Sequence, residues 1–290
     1  MNLQEFISNA EEPILLDGAM GTILSGAGFE TGGRANLSHP QAVSAIHRSY
    51  IGSGAEIIIT NTLTINRAFV FAHNVELDVR EANLAGAQLA RAAAGDSLYV
   101  VGDISSIANL LKPDGNYTKE EAGEVFQEQA TVLAEGGVDG FIIETMVDLR
   151  AALCALRACK EAADLPVIVS MVFNTLENGG QTRKGDTARD CALSLTEAGA
   201  DVIGANCGSL NPSEMADIVS AMQAVSSLPV IAQPNAGHPK MVEGRSVFDV
   251  TPADFSAGIE ECIQAGAKLV GGCCGTNPAH IQGVADLLGR

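Results

Sequence analysis

The chain has 290 residues, of which 47% are apolar and only 18% charged, enough for a full-sized core and a poor composition for a disordered segment or a coiled coil. Its 17 basic and 35 acidic side chains give a formal charge of −18, which argues against a nucleic-acid or anionic-membrane surface and suits a basic protein partner or plain solubility. Aromatics are 4%, with no Trp, so the core must rest on Ala, Val, Ile and Leu.

The opening stretch, MNLQEFISNAEEPILLDG, carries acids early and has too short an apolar run for a secretory signal. No later run reaches the length needed to cross a bilayer, so a cytoplasmic protein is expected. Short β-branched runs then alternate with longer helical patterns. Strands are predicted at Ile14–Leu16, Glu56–Thr60, Leu98–Gly102, Gly140–Ile143, Val167–Val172, Asp201–Gly204, Val230–Gln233 and Lys268–Gly271. Each is apolar nearly throughout, as parallel strands buried on both faces are.

Helical spacing fills the intervals. Val43, Ile46 and Tyr50 share a face, as do Leu149, Ala152, Leu153 and Leu156, and Met215, Ile218, Val219 and Met222. Thr118 with Glu121 reads as a capping box, and Asn211-Pro212, Thr251-Pro252 and Asn277-Pro278 place a cap before a proline. Gly54, Gly137, Gly199 and Gly266 close helices and reverse the chain into the next strand. Eight such β/α units, with no Pro/Ser-rich linker between them, predict a single (β/α)8 TIM barrel over residues 1–290. A doubly wound sheet is the alternative, but no dinucleotide-type glycine turn follows the first strand.

Chemistry in such a barrel sits at the C-terminal strand ends. Read in order, those ends carry Asp17-Gly18, Asn61, Asp103, Glu144, Asn174, Asn206-Cys207, Asn235 and Cys273-Cys274. Of seven cysteines, Cys154, Cys159, Cys191 and Cys262 fall in helical patterns and read as small buried hydrophobes. Cys207, Cys273 and Cys274 share the rim. They are either buried thiols or a redox group, or else the three ligands of a zinc ion with one position open. Adjacent cysteines rarely form a relaxed disulfide, and no C-x-x-C pair occurs.

Asp17 is open to two readings, a helix cap or a ligand for a cation. Glu144, directly before Thr145, is hard to read as a cap and suggests a site for an amine. The amides of Gly18, Ala19 and the residues after them can bind a carboxylate without a basic residue. Asn61, Asp103 and Asn235 complete the expected substrate contacts. An amine site and a carboxylate site near a thiophilic metal spell an amino acid bearing a thiol.

The phrases LLDGAMGT (15–22), HRSYIGSGAEIIITNT (47–62), GGVDGFIIET (136–145), GANC (204–207), PNAG (234–237) and GGCCGT (271–276) carry a resemblance to the homocysteine S-methyltransferase family along essentially the whole chain. The strongest likeness is to the homocysteine-binding module of cobalamin-dependent methionine synthases. The resemblance implies zinc on Cys207, Cys273 and Cys274, the amino acid on Asp17, the amides after it and Glu144, and Asn235 beside the metal. It implies that homocysteine is taken as a zinc thiolate and methylated to methionine, a step of methionine biosynthesis. GGCCGT and DGAMGT resemble the cobalamin-linked modules rather than S-methylmethionine enzymes, which tend to read GGCCRT and DGG. The expected donor is therefore methylcobalamin or another methylcorrinoid. With the sequence ending at Arg290, that donor is expected free or on a separate corrinoid protein. S-methylmethionine and S-adenosylmethionine are the alternative donors, and a non-catalytic thiol-binding subunit of a corrinoid system is the alternative class. Two departures fall on the rim: Ser105-Ser106 stands where the family often has Gly-Pro, and Gly-Ser-Leu-Asn-Pro follows GANC.

Other readings fare worse. A Schiff-base aldolase needs a lysine at a strand end, and none of the six lysines lies there; Lys268 begins a strand. A phosphate site at Gly271-Gly272 would be crowded by the cysteines. His238 is expected outside the metal's ligands, and His39, His47, His73 and His280 are given no role. The polar loop Gly237–Val250 reads as a lid.

Overall fold

The computed structural model describes the backbone of residues 1–107, 109–242 and 245–290. Helix α1 (Leu3–Asn9) precedes strand β1 (Ile14–Leu15), and α2 (Gly21–Gly26), α3 (Ala35–Ser38) and α4 (Pro40–Gly52) lead to β2 (Ile57–Ile59). Next come α5 (Arg67–Ala72), α6 (Val79–Ala94), β3 (Tyr99–Ile104), α7 (Lys119–Glu135), β4 (Gly140–Met146), α8 (Leu149–Ala162) and β5 (Val167–Met171). After a short 3₁₀ turn, α9 (Ala188–Glu197), β6 (Val202–Asn206), α10 (Pro212–Gln223) and β7 (Val230–Gln233) follow. A hairpin of β8 (Lys240–Val242) and β9 (Arg245–Val247) precedes α11 (Pro252–Gln264), β10 (Ala267–Val270) and α12 (Pro278–Leu287).

The eight parallel strands run in the order β1-β10-β7-β6-β5-β4-β3-β2, and a bridge between Leu16 and Ile57 joins the two ends. This is the expected (β/α)8 barrel, with helices around a ring of strands. The expected helix starts also hold. Thr118 and Asn211 form full capping boxes with Glu121 and Glu214, and Thr251 caps through the Asp254 amide. Asn277 forms its box with His280, whose ring also meets the Val250 carbonyl at 3.0 Å. That histidine, given no role from sequence, anchors the start of α12. No helix among the described residues is long and apolar enough to cross a membrane.

Inside the ring, Ile14, Leu16, Ile57, Val101, Ile142, Ile168, Val202, Ile231 and Leu269 form an apolar plug. Leu3 and Ile7 of α1 close it from the end opposite the rim. Strand side chains alternate faces, so residues two positions beyond the plug face the interior again. Those residues include Asp103, Glu144, Ser170, Gly204 and Gln233. The apolar plug therefore carries a polar floor. This corrects two strand limits: Asp103 and Glu144 lie within β3 and β4 rather than beyond them, because both strands run on past their apolar stretch.

The interval read as a lid contains the β8–β9 hairpin, with Glu243 and Gly244 outside the described residues. Its return strand is tied to the barrel by the Val250 amide, which donates to the Ala236 carbonyl at 3.1 Å.

Glycines separate tight from loose packing. A Cβ on Gly204 would stand 2.0 Å from the Ile231 carbonyl oxygen, whereas one on Gly123 in α7 would meet nothing within 4 Å. Gly204→Ala should push β6 from β7 and cost about 3 kcal/mol or more. Gly123→Ala should stabilise by about 0.5–1 kcal/mol through helix propensity. Urea unfolding of both variants checks this; equal midpoints would contradict the assigned packing.

Candidate active site

Cys207 follows β6, and Cys273 and Cys274 follow β10; their sulfurs all lie within 4.8 Å of one another, and no other group of His, Cys, Asp or Glu side chains among the described residues makes such a cluster. The backbone brings them together. The Cys207 amide donates to the Gln233 carbonyl at 3.2 Å, the Cys273 amide to the Pro234 carbonyl at 2.9 Å, and the Ala236 amide to the Cys274 carbonyl at 3.0 Å. The last residue of β7 and the segment after it thus splint both cysteine segments. Cys207 sits at φ 57°, a left-handed conformation that non-glycine residues rarely adopt.

Three half-buried thiols this close suit a thiophilic metal, whose tetrahedral coordination by sulfur at about 2.3 Å sets the sulfurs a little under 4 Å apart. Electrostatics agree. Hydrogen bonds from Cys273 and Cys274 hold the Cys207 thiol far below the ordinary thiol range, and the same contacts push those two upward. A divalent cation at this point would favour the ionised form of all three thiols. Of the other four thiols, Cys159, Cys191 and Cys262 are buried as expected, and burial pushes each upward; Cys154 departs from the expectation, being half-buried on the outer side of α8.

Beside the sulfurs lies a cavity of about 170 Å³ lined by Gly18, Ala19, Asn61, Asp103, Glu144 and Cys273, among others. Asp17, Asp103 and Glu144 are 2%, 5% and 8% exposed. No salt bridge among the described residues includes any of them. Burial drives all three carboxyls upward, and each acid raises the next. Glu144 acts on Asp17 and Asp103, and Asp17 on Asp103. Burial and the Cys207 charge bring Glu144 to about 8. A pocket holding this much latent negative charge without a basic side chain is built for a cation.

Asp17 is not a helix cap, since α2 starts at Gly21 with no side-chain cap. Its Oδ2 accepts from the Ile59 amide at 3.0 Å, and its Oδ1 has no partner among the described residues. The Ala19 amide, expected to bind a carboxylate, donates instead to Thr276 Oγ1 at 3.0 Å. That leaves its neighbours for such a role. The side-chain amide of Asn61 donates to Asn36 Oδ1 at 2.9 Å, so this residue lines the cavity while bound to the wall. Asn235 donates to the Gly208 carbonyl at 3.0 Å and its side chain also meets Cys207, while its buried Oδ1 accepts no hydrogen bond among the described residues.

Three further residues hold the site and were given no role there from sequence. Asn206 Nδ2 donates to Glu144 Oε2 at 3.3 Å and to Thr145 Oγ1 at 2.8 Å, and approaches Cys273 Sγ at 3.7 Å. Its Oδ1 takes the Thr145 amide at 2.8 Å, holding that β-branched residue at φ 58°. Thr276 Oγ1 donates to the Cys273 carbonyl at 2.7 Å, and Tyr50 donates to the Ala19 carbonyl at 2.8 Å. Asn206 and Thr276 stand inside the phrases GANC and GGCCGT, which were read for their cysteines alone.

A larger hollow of about 420 Å³ lies outside the barrel between α7 and α8. It holds no trio of metal-binding side chains, and charged groups at its edge pair with each other, as Arg157 does with Glu161 at 2.8 Å. The chemistry therefore belongs to the smaller cavity.

A family model described as homocysteine S-methyltransferase matches residues 14–288. A methionine synthase of Mycobacterium leprae (strain TN) is 29% identical, covering 97% of this chain and 25% of that protein. The chain thus spans about a quarter of the length of this relative. Among solved structures, the homocysteine methyltransferase MmuM of Escherichia coli shares the fold. Its metallated form aligns with a TM-score of 0.79 at 20% identity over 98% of this chain and 99% of that one. Its apo form gives 0.76, also at 20% identity and covering 98% of each chain.

A carboxyl raised by folding binds its proton more tightly in the folded chain. The stability it contributes is complete below its ordinary value of 4.5 and is lost as pH rises through about 8. Glu144 should therefore make the melting temperature of the metal-free chain fall between about pH 5 and about pH 9, against an opposite contribution from the lowered Cys207 thiol. In Glu144→Gln that fall should be smaller. Melting curves of the two proteins that stay parallel across this range would show that Glu144 is not the titrating group.

Proposed function

The chain belongs to the homocysteine S-methyltransferase family, and on that premise we propose that it is a zinc-dependent enzyme that methylates homocysteine to methionine. Residues 1–290 are taken as one homocysteine-binding barrel domain. The observation that carries the reading is the set of three sulfurs within 4.8 Å of one another beside a cavity of uncompensated acids. Seven free thiols suit a reducing, cytoplasmic setting.

Cys207, Cys273 and Cys274 would hold zinc, which supplies thiol activation by displacing the proton that a free thiol, with a pKa near ~8.5, keeps at neutral pH. Glu144, Asp17 and Asp103 take the substrate ammonium, and the uncommitted amides around Gly18 and Met20 take its carboxylate. Held at both ends, the amino acid presents its sulfur to the rim. Asn206 bonds Glu144 and approaches Cys273, so it keeps the amine site in register with the sulfurs. In the transfer, a bond forms between substrate sulfur and methyl carbon as the carbon–donor bond breaks, and the electron pair of that bond leaves with the donor.

The donor is proposed to be a methylcorrinoid, methylcobalamin either free or on a separate corrinoid protein. The support is the relation to a methionine synthase over 97% of the chain. S-methylmethionine and S-adenosylmethionine are the alternative donors.

Changing any one of Cys207, Cys273 and Cys274 to Ala should lower bound zinc from about one equivalent to near zero and abolish turnover. Metal analysis with an assay of methionine formation checks both. Full activity without one cysteine would end the proposal. Glu144→Gln should keep zinc and raise the KM for homocysteine about tenfold or more. Assaying the zinc-loaded chain with methylcobalamin, S-methylmethionine and S-adenosylmethionine in turn identifies the donor, and inactivity with all three points to a protein-bound one.

A further inference from the structure

Strand β7 brings one more polar group to the cavity. Gln233 lies two residues beyond Ile231 of the plug and shares its interior face. It lines the cavity along with Asp103, Glu144 and Cys273, and is 1% exposed. Just past β10, a Cβ on Gly271 would stand 3.4 Å from Gln233 Cγ and 3.0 Å from the Asp17 carbonyl oxygen. The missing side chain leaves Gln233 room to lie over the end of β10 toward the end of β1.

Gln233 Oε1 is buried and accepts no hydrogen bond among the described residues. Asp17 Oδ1 and Asp103 Oδ1 are in the same condition. Buried acceptors without donors are costly and uncommon. Gln233 and Asp103 line one cavity and Asp17 directly precedes its Gly18; with no Lys or Arg paired to the acids, these acceptors ask for a group rich in donors. A primary ammonium is such a group: three N–H bonds and no acceptor.

We propose that Gln233 contacts the substrate, accepting one hydrogen bond from its ammonium and so selecting α-amino thiols over thiols that lack the amine. The inference rests on the reading of this cavity as the amino-acid site and adds a residue to it. An amide is the fitting acceptor here. A fourth carboxyl would add charge to a cavity already crowded with acids, whereas an amide oxygen adds none.

Calorimetric titration of the zinc-loaded chain tests it, with homocysteine and with 4-mercaptobutanoate, which differ only in the α-amine. Gln233→Met keeps the length and removes the acceptor. It should bind homocysteine about tenfold more weakly, keep its zinc, and bind 4-mercaptobutanoate as the parent does. Equal loss for both thiols would make Gln233 a matter of cavity shape and overturn the role. No loss for either, or loss of zinc, would overturn it too. If Gln233→Met does not fold, Gln233→Glu, which retains an acceptor, should keep the preference for the amine-bearing thiol, and a lost preference counts against the proposal. A parent chain that binds neither homocysteine nor methionine brings down the amino-acid reading itself, whereas a parent that binds both and is unmoved by the substitutions isolates the failure to Gln233.

Discussion

Negative charge gathered in one place without a counter-charge governs this molecule. Three carboxyls and three thiols crowd the rim-side interior of a barrel, and the cationic side chains lie elsewhere. Left to itself, such a site holds protons on its carboxyls, which burial pushes upward. Two cations of different kinds relieve it. A soft metal suits the sulfurs, and an ammonium suits the acids. Each would lower the cost of the other, because Cys207 and Glu144 feel one another directly.

The geometry behind this is the alternation of strand side chains. One parity fills the lower barrel with Ile, Val and Leu and needs α1 to seal it. Two residues further on, the same parity supplies Asp103, Glu144 and Gln233. The polar floor thus stands on a rigid apolar base, and its acids are held by strands rather than by loops. Loops contribute what strands cannot, namely the turned-back thiol of Cys207 and the paired thiols of Cys273 and Cys274.

Much of this was legible in the sequence. Apolar runs at regular intervals gave eight strands, and the capping residues gave the helix starts, because both depend on local chemistry. The three rim cysteines stood out since no helical pattern absorbed them. What stayed hidden depended on partners distant in sequence. Asp17 could be read as a cap until the Ile59 amide was seen to claim one oxygen and burial to isolate the other. Ala19 offered an amide that Thr276 had already taken. Gln233 ended a strand quietly, since an amide carries no charge to attract notice. Only its parity with Ile231 foretold an inward side chain. Asn206 was passed over beside a cysteine, although its two-sided amide is what ties that cysteine's neighbourhood to Glu144.

The site is also a long-range construction. Asn206 meets Cys273 across 67 positions of the chain, and Ala19 meets Thr276 across 257. Synthesis runs from the amino end, so the residues of β1 emerge long before the strand that will sit beside them. Until β10 takes its place, Cys207 lacks the two sulfurs that complete its cluster. Closing the ring and bringing the three sulfurs together are therefore one event.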